Sequence, residues 1–497
     1  MSAETPPVYD TLLEHVTQLN YVADAGGLLQ WDQQVMMPEG GTPARSKQQS
    51  ALSTLHHDLL TDDDLAGYLA DVDEGSLDPA QRAVVREVRR EHERARKVPR
   101  DLVEQISETT SEALPVWEQA REEDDFEAYA PVLEELVELR REYAEAIDPD
   151  RDPYEVLFEE FEPYLGLDTA ERILGRLREE LVPLIDDIAD SDVPQPHPFE
   201  GTFDVDDQEE LVRAALDDLG FDWGRGRLDT STHPFTSGTQ FDARITTRFD
   251  EAKPLDSLSS TIHEFGHATY ALGLPDDEYG TPLGDARDLT VHESQSRLWE
   301  NHVGRSKAFW EYFTPTVENH LGVDVSADEA YGAANRVYDD NLIRVEADEL
   351  TYHMHILVRF EIERDLIAGD LDVSEVPAVW NDKMEEYLGI RPESDAEGCL
   401  QDIHWTNGTF GYFPTYTLGS VLAAQLYDAA ESEIGPIDDA VRDGEFDDLH
   451  EWLTENVHRH GKRYTTDDLV EEATGESFSA DHFLAYVTEK YRGLYDL

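Results

Sequence analysis

A helical repeat of apolar side chains that encloses two histidines constrains this chain more than any other stretch of its sequence. Between Leu255 and Gly273, apolar residues recur at the spacing of an α-helix with one buried face, namely at Leu258, Ile262, Phe265 and Leu272. The same stretch contains His263-Glu-Phe-Gly-His267. Residues four apart lie one turn apart on the same face of a helix, so both imidazoles can reach one zinc ion. The sequence therefore predicts a metal site on a partly buried helix.

Glu264 follows the first histidine directly, and its carboxylate is placed to accept a proton from water that the metal activates. This arrangement of two histidines and a glutamate is typical of metal-dependent peptidases. The competing interpretation is a pair of hydrogen-bonded core histidines on an ordinary amphipathic helix, because so short a motif also arises by chance. The helical context and the intervening glutamate favour the metal site.

The charge of the chain excludes several classes of partner. Its 497 residues carry 111 acidic and 39 basic side chains, a formal charge of −72. Such an excess repels nucleic acid and anionic membranes, so neither is predicted as a partner. High charge often indicates disorder, but aromatic and aliphatic residues recur in helical register from end to end. We therefore predict an ordered protein with an acidic, hydrated surface, typical of a halophilic organism in which salt screens the repulsion.

Three further features bear on the cellular compartment. Cys399 is the single cysteine of the chain, so no intrachain disulfide can form. The first residues, Met-Ser-Ala-Glu-Thr-Pro-Pro, lack the basic and apolar regions of a signal peptide. No uncharged run approaches the length of a membrane span. These features predict a cytoplasmic protein.

Helical patterns occupy most of the chain. The first is an amphipathic helix over residues 8–24, which we expect to end near Gly26 and Gly27. Further helical patterns continue to about residue 190, and together they predict a helical lobe over residues 1–190. The stretch Ser191–Thr202, rich in proline and aspartate, is typical of a linker between sub-regions.

The spacing of residues changes between Leu228 and Phe249, where the helical pattern is interrupted. Alternating residues there predict a small β-ribbon beside the metal helix. We expect one catalytic domain over residues 1–497, mainly α, with the metal-site region at about residues 228–420. The small sheet is expected to form one wall of a cleft.

The residues alone leave several candidates for the third metal ligand. A catalytic zinc ion usually has three protein ligands and one open position for water. Acidic residues that could supply the third ligand follow the motif helix, and they are Asp277, Glu278, Asp285, Asp288 and Glu293. In so acidic a chain, a lone acidic residue is most often a solvated surface group. The choice of Glu293 depends on the combination His292-Glu-Ser-Gln295 together with a resemblance to a known family.

The motifs together resemble those of the M32 metallocarboxypeptidases, the thermostable carboxypeptidase Taq family, along nearly the full length of the chain. Six motifs stand in the order of that family: His233-Pro-Phe235, Asp242-Ala-Arg-Ile-Thr246, His263-Glu-Phe-Gly-His267, His292-Glu-Ser-Gln295, Ile343-Arg-Val-Glu-Ala-Asp348 and Gly398-Cys-Leu-Gln-Asp-Ile-His-Trp405. A second His-Pro-Phe at His197 lies in proline-rich surroundings, so the position relative to the next motif selects His233.

The resemblance implies a mainly helical fold like those of neurolysin-like and angiotensin-converting-enzyme-like peptidases, with a deep groove between two helical halves. It implies a homodimer that releases single residues from the free C-termini of peptides with broad specificity, a C-terminal proline being removed poorly. It also implies zinc, or cobalt as a substitute, held by His263, His267 and Glu293, with Glu264 as general base.

An enzyme that acts on C-termini must bind a free carboxylate, and arginine does this best through a bidentate, charge-assisted pair. Arg344 and Arg244 both stand in the motifs. We expect Arg344 to bind the terminal carboxylate and Arg244 to act as a second cation or a structural ion-pair partner. For either residue, the alternative is an ordinary salt bridge in an acidic chain.

The oxyanion that develops during peptide hydrolysis requires a hydrogen-bond donor opposite the metal. Tyr416 is the expected donor, with Tyr412 in reserve, because a phenol donates without carrying charge. The alternative is that these tyrosines only pack the start of a helix. His404 and His233 are expected to contact substrate. His292 is expected to donate a hydrogen bond near the metal without binding it.

Two other functions compete with a carboxypeptidase. The first is a zinc oligoendopeptidase with the same fold and ligands but an open groove. The second is a non-catalytic peptide-binding protein that retains the fold. The presence of Glu264 argues against the second, because a binding protein needs no general base.

Overall fold

A computed structural model describes residues 7–338 and 341–497 of the chain, and most of these residues are helical. The helices that precede the sheet are α1 (Pro7–Val35), α2 (Thr42–Leu60), α3 (Asp63–Asp71), α4 (Pro79–Lys97), α5 (Arg100–Glu123), α6 (Phe126–Ile147), α7 (Pro153–Phe158), α8 (Leu167–Ala189) and α9 (Val205–Asp218). The helices that follow it are α10 (Pro254–Gly273), α11 (Leu289–Arg297), α12 (Lys307–Leu321), α13 (Ala327–Ala334), α14 (Tyr352–Ala368), α15 (Val376–Leu388), α16 (Pro414–Ile434), α17 (Ile437–Arg442), α18 (Asp447–Asn456), α19 (Thr466–Thr474) and α20 (Asp481–Tyr495).

The predicted β-ribbon is a three-stranded sheet of β1 (Gly226–Thr230), β2 (Thr236–Thr239) and β3 (Asp242–Thr247). Its strand order is β1-β3-β2, with β3 parallel to β1 and antiparallel to β2. Ile245 of β3 is fully buried, and β2 and β3 both pack against α10. The sheet therefore lies beside the motif helix, as the sequence predicts.

Two clusters of buried apolar side chains stabilise the described part of the chain. The larger one extends from Val98 to Tyr495 and includes residues of α5, α10, α14 and α16. The smaller one joins α1, α3 and α4 through residues such as Leu12, Leu65 and Val85. Since both clusters follow the helical spacing of apolar residues, the helices of each cluster are held mainly by burial of their apolar faces.

Helix α1 corrects one expectation, because it does not end near Gly26 and Gly27 but continues to Val35. Neither glycine has the left-handed backbone that ends many helices, and a Cβ atom at either would meet no atom within 4 Å. The additional turns bury Trp31, which is 3% exposed. Burial of this large side chain offsets the unfavourable helix propensity of the two glycines, about 1 kcal/mol for each.

Within residues 7–338 and 341–497, no helix combines the length and the apolar character needed to cross a membrane.

Candidate metal centre and substrate-binding residues

Helix α10 carries both motif histidines near its middle. It begins with Pro254, whose fixed backbone angle suits the first turn of a helix. Ile262 and Phe265 point into the core and are almost fully buried, which sets the rotation of the helix. The rings of His263 and His267 consequently lie on one face, with centroids 5.0 Å apart.

Two glycines allow neighbouring helices to approach α11, the helix that carries Glu293. A Cβ atom at Gly266 of α10 would lie 2.4 Å from the carbonyl oxygen of Gln295. A Cβ atom at Gly419 of α16 would lie 2.5 Å from the Glu293 side chain. Any larger residue at these two positions would push the helices apart, so the glycines bring Glu293 within reach of the histidines.

Three ligand atoms converge between α10 and α11. Glu293 Oε2 lies 3.4 Å from His267 Nε2 and 3.7 Å from His263 Nε2, and all three atoms lie within 4.8 Å of one another. Tetrahedral zinc with bonds of about 2.0–2.1 Å separates its ligand atoms by roughly 3.3 Å. The three residues therefore fit a divalent cation of this size.

The competing acids in the preceding loop do not join this cluster in the described part of the chain. Asp285 lies 3.6 Å from Lys462 Nζ. Asp288 lies 2.7 Å from Arg287 Nε. These two acids take part in ion pairs instead, and the structure brings Glu293 to the histidines.

The charge of Glu293 is determined by its neighbours. Burial disfavours its carboxylate, but the Arg297 guanidinium, 2.7 Å away, and the two histidines outweigh burial and hold the pKa of Glu293 well below its usual range. Ser296 also donates a hydrogen bond of 3.1 Å to Oε2. Glu293 is therefore anionic at neutral pH, as a ligand of a divalent cation must be.

Glu300 is a part of the site that the sequence interpretation missed. Its Oε2 atom lies 2.8 Å from Nδ1 of His263, so the imidazole can donate there and present Nε2 to a metal. Arg297 and Arg305 donate to the same carboxylate at 3.1 and 3.0 Å. Glu300 follows Glu293 by two helical turns, within the π-helical segment Leu298–Gly304 that continues α11. The interval of two helical turns between Glu293 and Glu300 could have indicated this residue from the sequence. The indication is weak, because such intervals are common in a chain so rich in acidic residues.

Thr236 is a second missed residue, and it holds the side chain of Glu264. Its hydroxyl donates 2.7 Å to Glu264 Oε2 and lies 3.0 Å from the Glu264 carbonyl oxygen. Glu264 itself is 6% exposed. Thr236 lies on β2, so the small sheet orients the carboxylate that stands between the two histidines. No spacing rule links Thr236 to the motif.

His292 lies against the metal cluster through its ring. The centroids of His292 and His267 are 4.5 Å apart, and Tyr270 packs 5.5 Å from the His292 ring. Burial and the neighbouring His267 lower the pKa of His292 to about 3, so it is neutral. Among the described residues, the Glu300 carboxylate is the group that accepts a hydrogen bond from Nδ1 of a metal-cluster imidazole, that of His263.

Arg344 is buried, and its guanidinium is held on one side. Its Nε and Nη2 atoms donate 3.0 and 2.7 Å to Asp402, and Nη1 donates 3.2 Å to the Tyr352 hydroxyl. A guanidinium has five N–H groups, so these three bonds leave two for another acceptor. Arg359 pairs with the other oxygen of Asp402 at 2.5 Å. Asp402 is thus shared by two arginines.

Arg244 has different surroundings on β3. Its guanidinium pairs with Asp242 at 2.6 Å and stacks over the Trp31 ring at 4.3 Å. Arg227 approaches the same ring at 5.1 Å. Arg244 therefore links the sheet to α1 as well as carrying a charge.

Tyr416 lies between Arg344 and His404. Arg344 approaches its ring at 5.4 Å, and the Tyr416 hydroxyl is 3.5 Å from His404 Nε2. Burial lowers the pKa of His404 to about 4 and raises that of Tyr416, so both are neutral. The Tyr412 ring lies 5.3 Å from that of Tyr416. His233 is separate from this group, with an exposed side chain in the turn between β1 and β2.

The site combines two histidines on one helix, a carboxylate from the next helix and a buried glutamate that lies between the histidines in sequence. This combination defines the class of metal-dependent peptidases. The sequence profile of the family Carboxypeptidase Taq (M32) metallopeptidase matches residues 11–491 of the chain. The chain belongs to this M32 family, and it is a metallocarboxypeptidase.

This chain is similar to individual relatives along nearly the full length of both proteins. The chain is 40% identical to thermostable carboxypeptidase 1 of Thermus thermophilus, covering 98% of this chain and 99% of the relative. Its structure is similar to that of Pyrococcus furiosus carboxypeptidase, with a TM-score of 0.95 and 36% identity over 99% of this chain and all of the other. The M32 carboxypeptidase of Deinococcus radiodurans matches with a TM-score of 0.94 and 37% identity, over 99% and 100% of the two chains. The predicted mainly helical peptidase fold is confirmed.

Proposed function

We propose that this metallocarboxypeptidase removes single residues from the free C-termini of peptides with broad specificity, with zinc held by His263, His267 and Glu293. The observation that carries the proposal is the convergence of these three ligand atoms beside the buried Glu264. When bound there, a divalent cation supplies a Lewis acid for the scissile carbonyl and acidifies water. Cobalt is the expected substitute, as the resemblance to the M32 family implies.

The side chains of the protein have separate tasks in this reaction. Glu264 accepts a proton from water and delivers it to the leaving amine. Thr236 supports this task, because its hydrogen bond keeps the Glu264 carboxylate in one orientation. Tyr416 donates to the developing oxyanion as a neutral phenol. His404 and His233 contact the substrate, and His292 packs behind His267.

Arg344 sets the position of cleavage by binding the terminal carboxylate through its two remaining N–H groups. Asp402 supports this role by holding the guanidinium in place from the other side. Arg244 acts as a second cation, and the choice between the two arginines is open to a direct test.

Amidation of the C-terminus of a short peptide is expected to reduce kcat/KM by about 10–100-fold, because it removes the charge that Arg344 binds. Arg344→Gln should reduce cleavage of the free peptide by a similar factor and leave cleavage of the amidated peptide unchanged. The measurement is kcat/KM for the matched pair of peptides with each enzyme.

Arg244→Gln is the matched variant for this test. If it abolishes the preference for the free peptide and Arg344→Gln does not, then Arg244 is the carboxylate anchor. Equal cleavage of both peptides by the wild-type enzyme would instead favour the alternative, a zinc oligoendopeptidase of the same fold.

Glu300→Gln is expected to weaken zinc binding by about 10–100-fold, because the His263 imidazole loses its anionic acceptor. The measurement is the zinc dissociation constant from competition with a chromophoric chelator. Glu311→Gln is the control, since Glu311 pairs with Arg442 at 2.6 Å away from the metal cluster. Unchanged zinc affinity in Glu300→Gln would show that Glu300 does not support metal binding.

The remaining expectations from the sequence are a homodimer, a cytoplasmic location and a halophilic source, and they stay predictions. The charge of −72 supports the last of these, because a chain of this charge needs screening to stay compact.

A further inference from the structure

A buried carboxylate on α14, that of Glu363, joins the two ends of loop 405–411, which follows the last sequence motif. At the start of the loop, the indole N–H of Trp405 donates 2.9 Å to Oε1 of Glu363. At its end, the backbone N–H of Gly411 donates 3.0 Å to Oε2. The Tyr154 hydroxyl of α7 donates to the same oxygen at 3.0 Å. One side chain therefore holds both ends of the loop and ties them to a neighbouring helix.

Glu363 is fully buried, and burial of a carboxylate is unfavourable. Burial raises the pKa of Glu363 to about 7, in spite of the donors around it. Arg359, one turn earlier on the same helix, favours the ionised form, but its guanidinium pairs with Asp402. The Glu363 carboxylate thus depends on its three hydrogen bonds. Movement of any of the three donors would leave a buried donor without its acceptor, so the carboxylate fixes all three in place.

The two ends of this loop adjoin side chains that are proposed to contact substrate. His404 immediately precedes Trp405, and Tyr416 lies in the first turn of α16, five residues after Gly411. The Tyr416 hydroxyl is 3.5 Å from His404 Nε2, so the two flanks of the loop are in contact at this pair. Gly411 has a φ of +92°, and a Cβ atom there would lie 2.8 Å from the backbone of Phe158. This end of the loop therefore rests directly on α7, the helix that supplies the third donor.

We propose that Glu363 is a positioning residue for peptide hydrolysis, which holds loop 405–411 and thereby places the Tyr416 hydroxyl at the developing oxyanion. The proposal rests on the proposed function, in which Tyr416 is the oxyanion donor. Such a donor lowers the barrier only if it is already oriented when the charge develops. A displacement of about 1 Å in a reacting site can cost about 100-fold in rate. Glu363 therefore acts on catalysis through Tyr416, without touching the substrate itself.

The test begins with Glu363→Gln in the full-length, metal-loaded enzyme, assayed above pH 7, where the wild-type carboxylate is mostly ionised. An amide has one accepting oxygen and one donating nitrogen, so it can accept from only one end of the loop and meets a second donor at the other. The expected result is a loss of kcat of about 10–100-fold with KM within about twofold of the wild type, because the lost interaction belongs to the transition state. Metal content is measured on the same preparation and should be unchanged.

A double-variant cycle with Tyr416→Phe separates a positioning role from a general loss of folded structure. If Glu363 acts through Tyr416, then Glu363→Gln should lower kcat by less than about threefold in an enzyme that already lacks the Tyr416 hydroxyl. A purely structural defect would instead lower kcat by the same factor in both backgrounds, and that result would overturn the proposal.

Glu361→Gln is the matched control on the same helix. Glu361 lies two residues before Glu363 and also accepts from three side chains, those of Arg178, Lys383 and Tyr387. None of these donors belongs to loop 405–411, so Glu361→Gln should keep the wild-type kcat. An equal loss of kcat in both variants would overturn the proposal, because the loop would then have no special part in the effect.

Trp405→Phe tests the same contact if Glu363→Gln does not fold. It removes the indole N–H that donates to Glu363 and retains an aromatic ring, so kcat should fall by about three- to tenfold with KM unchanged. Trp310→Phe is its control, since Trp310 is also buried but its indole N–H has no hydrogen-bond partner among the described residues. Equal kcat in the two tryptophan variants would overturn the proposal.

The result for Tyr416→Phe alone distinguishes failure of the positioning role from failure of the proposed function. A Tyr416→Phe enzyme with the wild-type kcat would remove Tyr416 from the oxyanion site and would overturn the positioning role as well. A large loss in Tyr416→Phe, together with the wild-type kcat in Glu363→Gln, would overturn the positioning role alone. In both cases the wild-type rate on a peptide with a free C-terminus still reports the carboxypeptidase activity itself.

Discussion

Replacing Glu264 with glutamine is expected to lower kcat by about 10²–10⁴-fold while the bound metal remains in place. Glutamine keeps the size of the side chain and can still accept the hydrogen bond from Thr236, so the local geometry should persist. It cannot take a proton from water at neutral pH. The loss should therefore appear in turnover and not in metal content, and both are measured on the same preparation.

The control for this variant is Glu318→Gln, which removes one carboxylate from the exposed side of α12. This change should leave both quantities as in the wild type, because surface substitutions away from special contacts have small effects. A Glu264→Gln enzyme that retains more than about a tenth of the wild-type kcat would show that another group accepts the proton. A loss of metal in that variant would assign Glu264 a role in binding instead.

Replacing Asp402 with alanine is expected to lower the free energy of unfolding by about 3–5 kcal/mol, because it leaves two buried guanidiniums without their shared counter-ion. Arg344 and Arg359 both pair with this carboxylate, at 2.7 and 2.5 Å. Urea denaturation at constant salt measures the change. Urea is preferred to guanidinium chloride, which would alter the screening of so acidic a chain.

Asp382→Ala is the matched control, since Asp382 is exposed and its pair with Arg391 at 2.9 Å lies in water. Its removal should change the free energy of unfolding by less than about 1 kcal/mol. A loss of similar size in both variants would mean that the Asp402 pair contributes no more than a surface pair.

The Asp402 pair also predicts a direction of pH dependence. Burial disfavours the carboxylate, but Arg359 and Arg344 outweigh burial and hold the pKa of Asp402 well below its usual value of 3.8. A group whose pKa is lower in the folded state stabilises that state above its unfolded pKa, and this contribution is lost as the pH falls below that value. Between about pH 4 and the acid limit of folding, the wild type should therefore lose stability more steeply than Asp402→Ala.

Much of the metal centre could be predicted from the sequence because its first two ligands lie within one helical turn. The spacing of His263 and His267 and the apolar residues around them determine which face of α10 they share. Glu293 was selected among several acids by its motif context together with the family resemblance, and the structure places it beside both imidazoles. The end of α1 was predicted wrongly, because a pair of glycines predicts a stop only when nothing beyond it is buried.

The sequence by itself determined the helical character of the chain, the small sheet, the metal-binding pair and its family. These features depend on local periodicity and on short motifs. The tertiary structure decided which groups support them: Glu300 beside His263, Thr236 beside Glu264 and Asp402 beside Arg344. These partners are separated by 37, 28 and 58 residues in sequence, so no local spacing relates them. Their contacts arise only when α10, α11, the sheet and the segment around Asp402 pack together, since hydrogen bonds between side chains require a particular arrangement of elements in space.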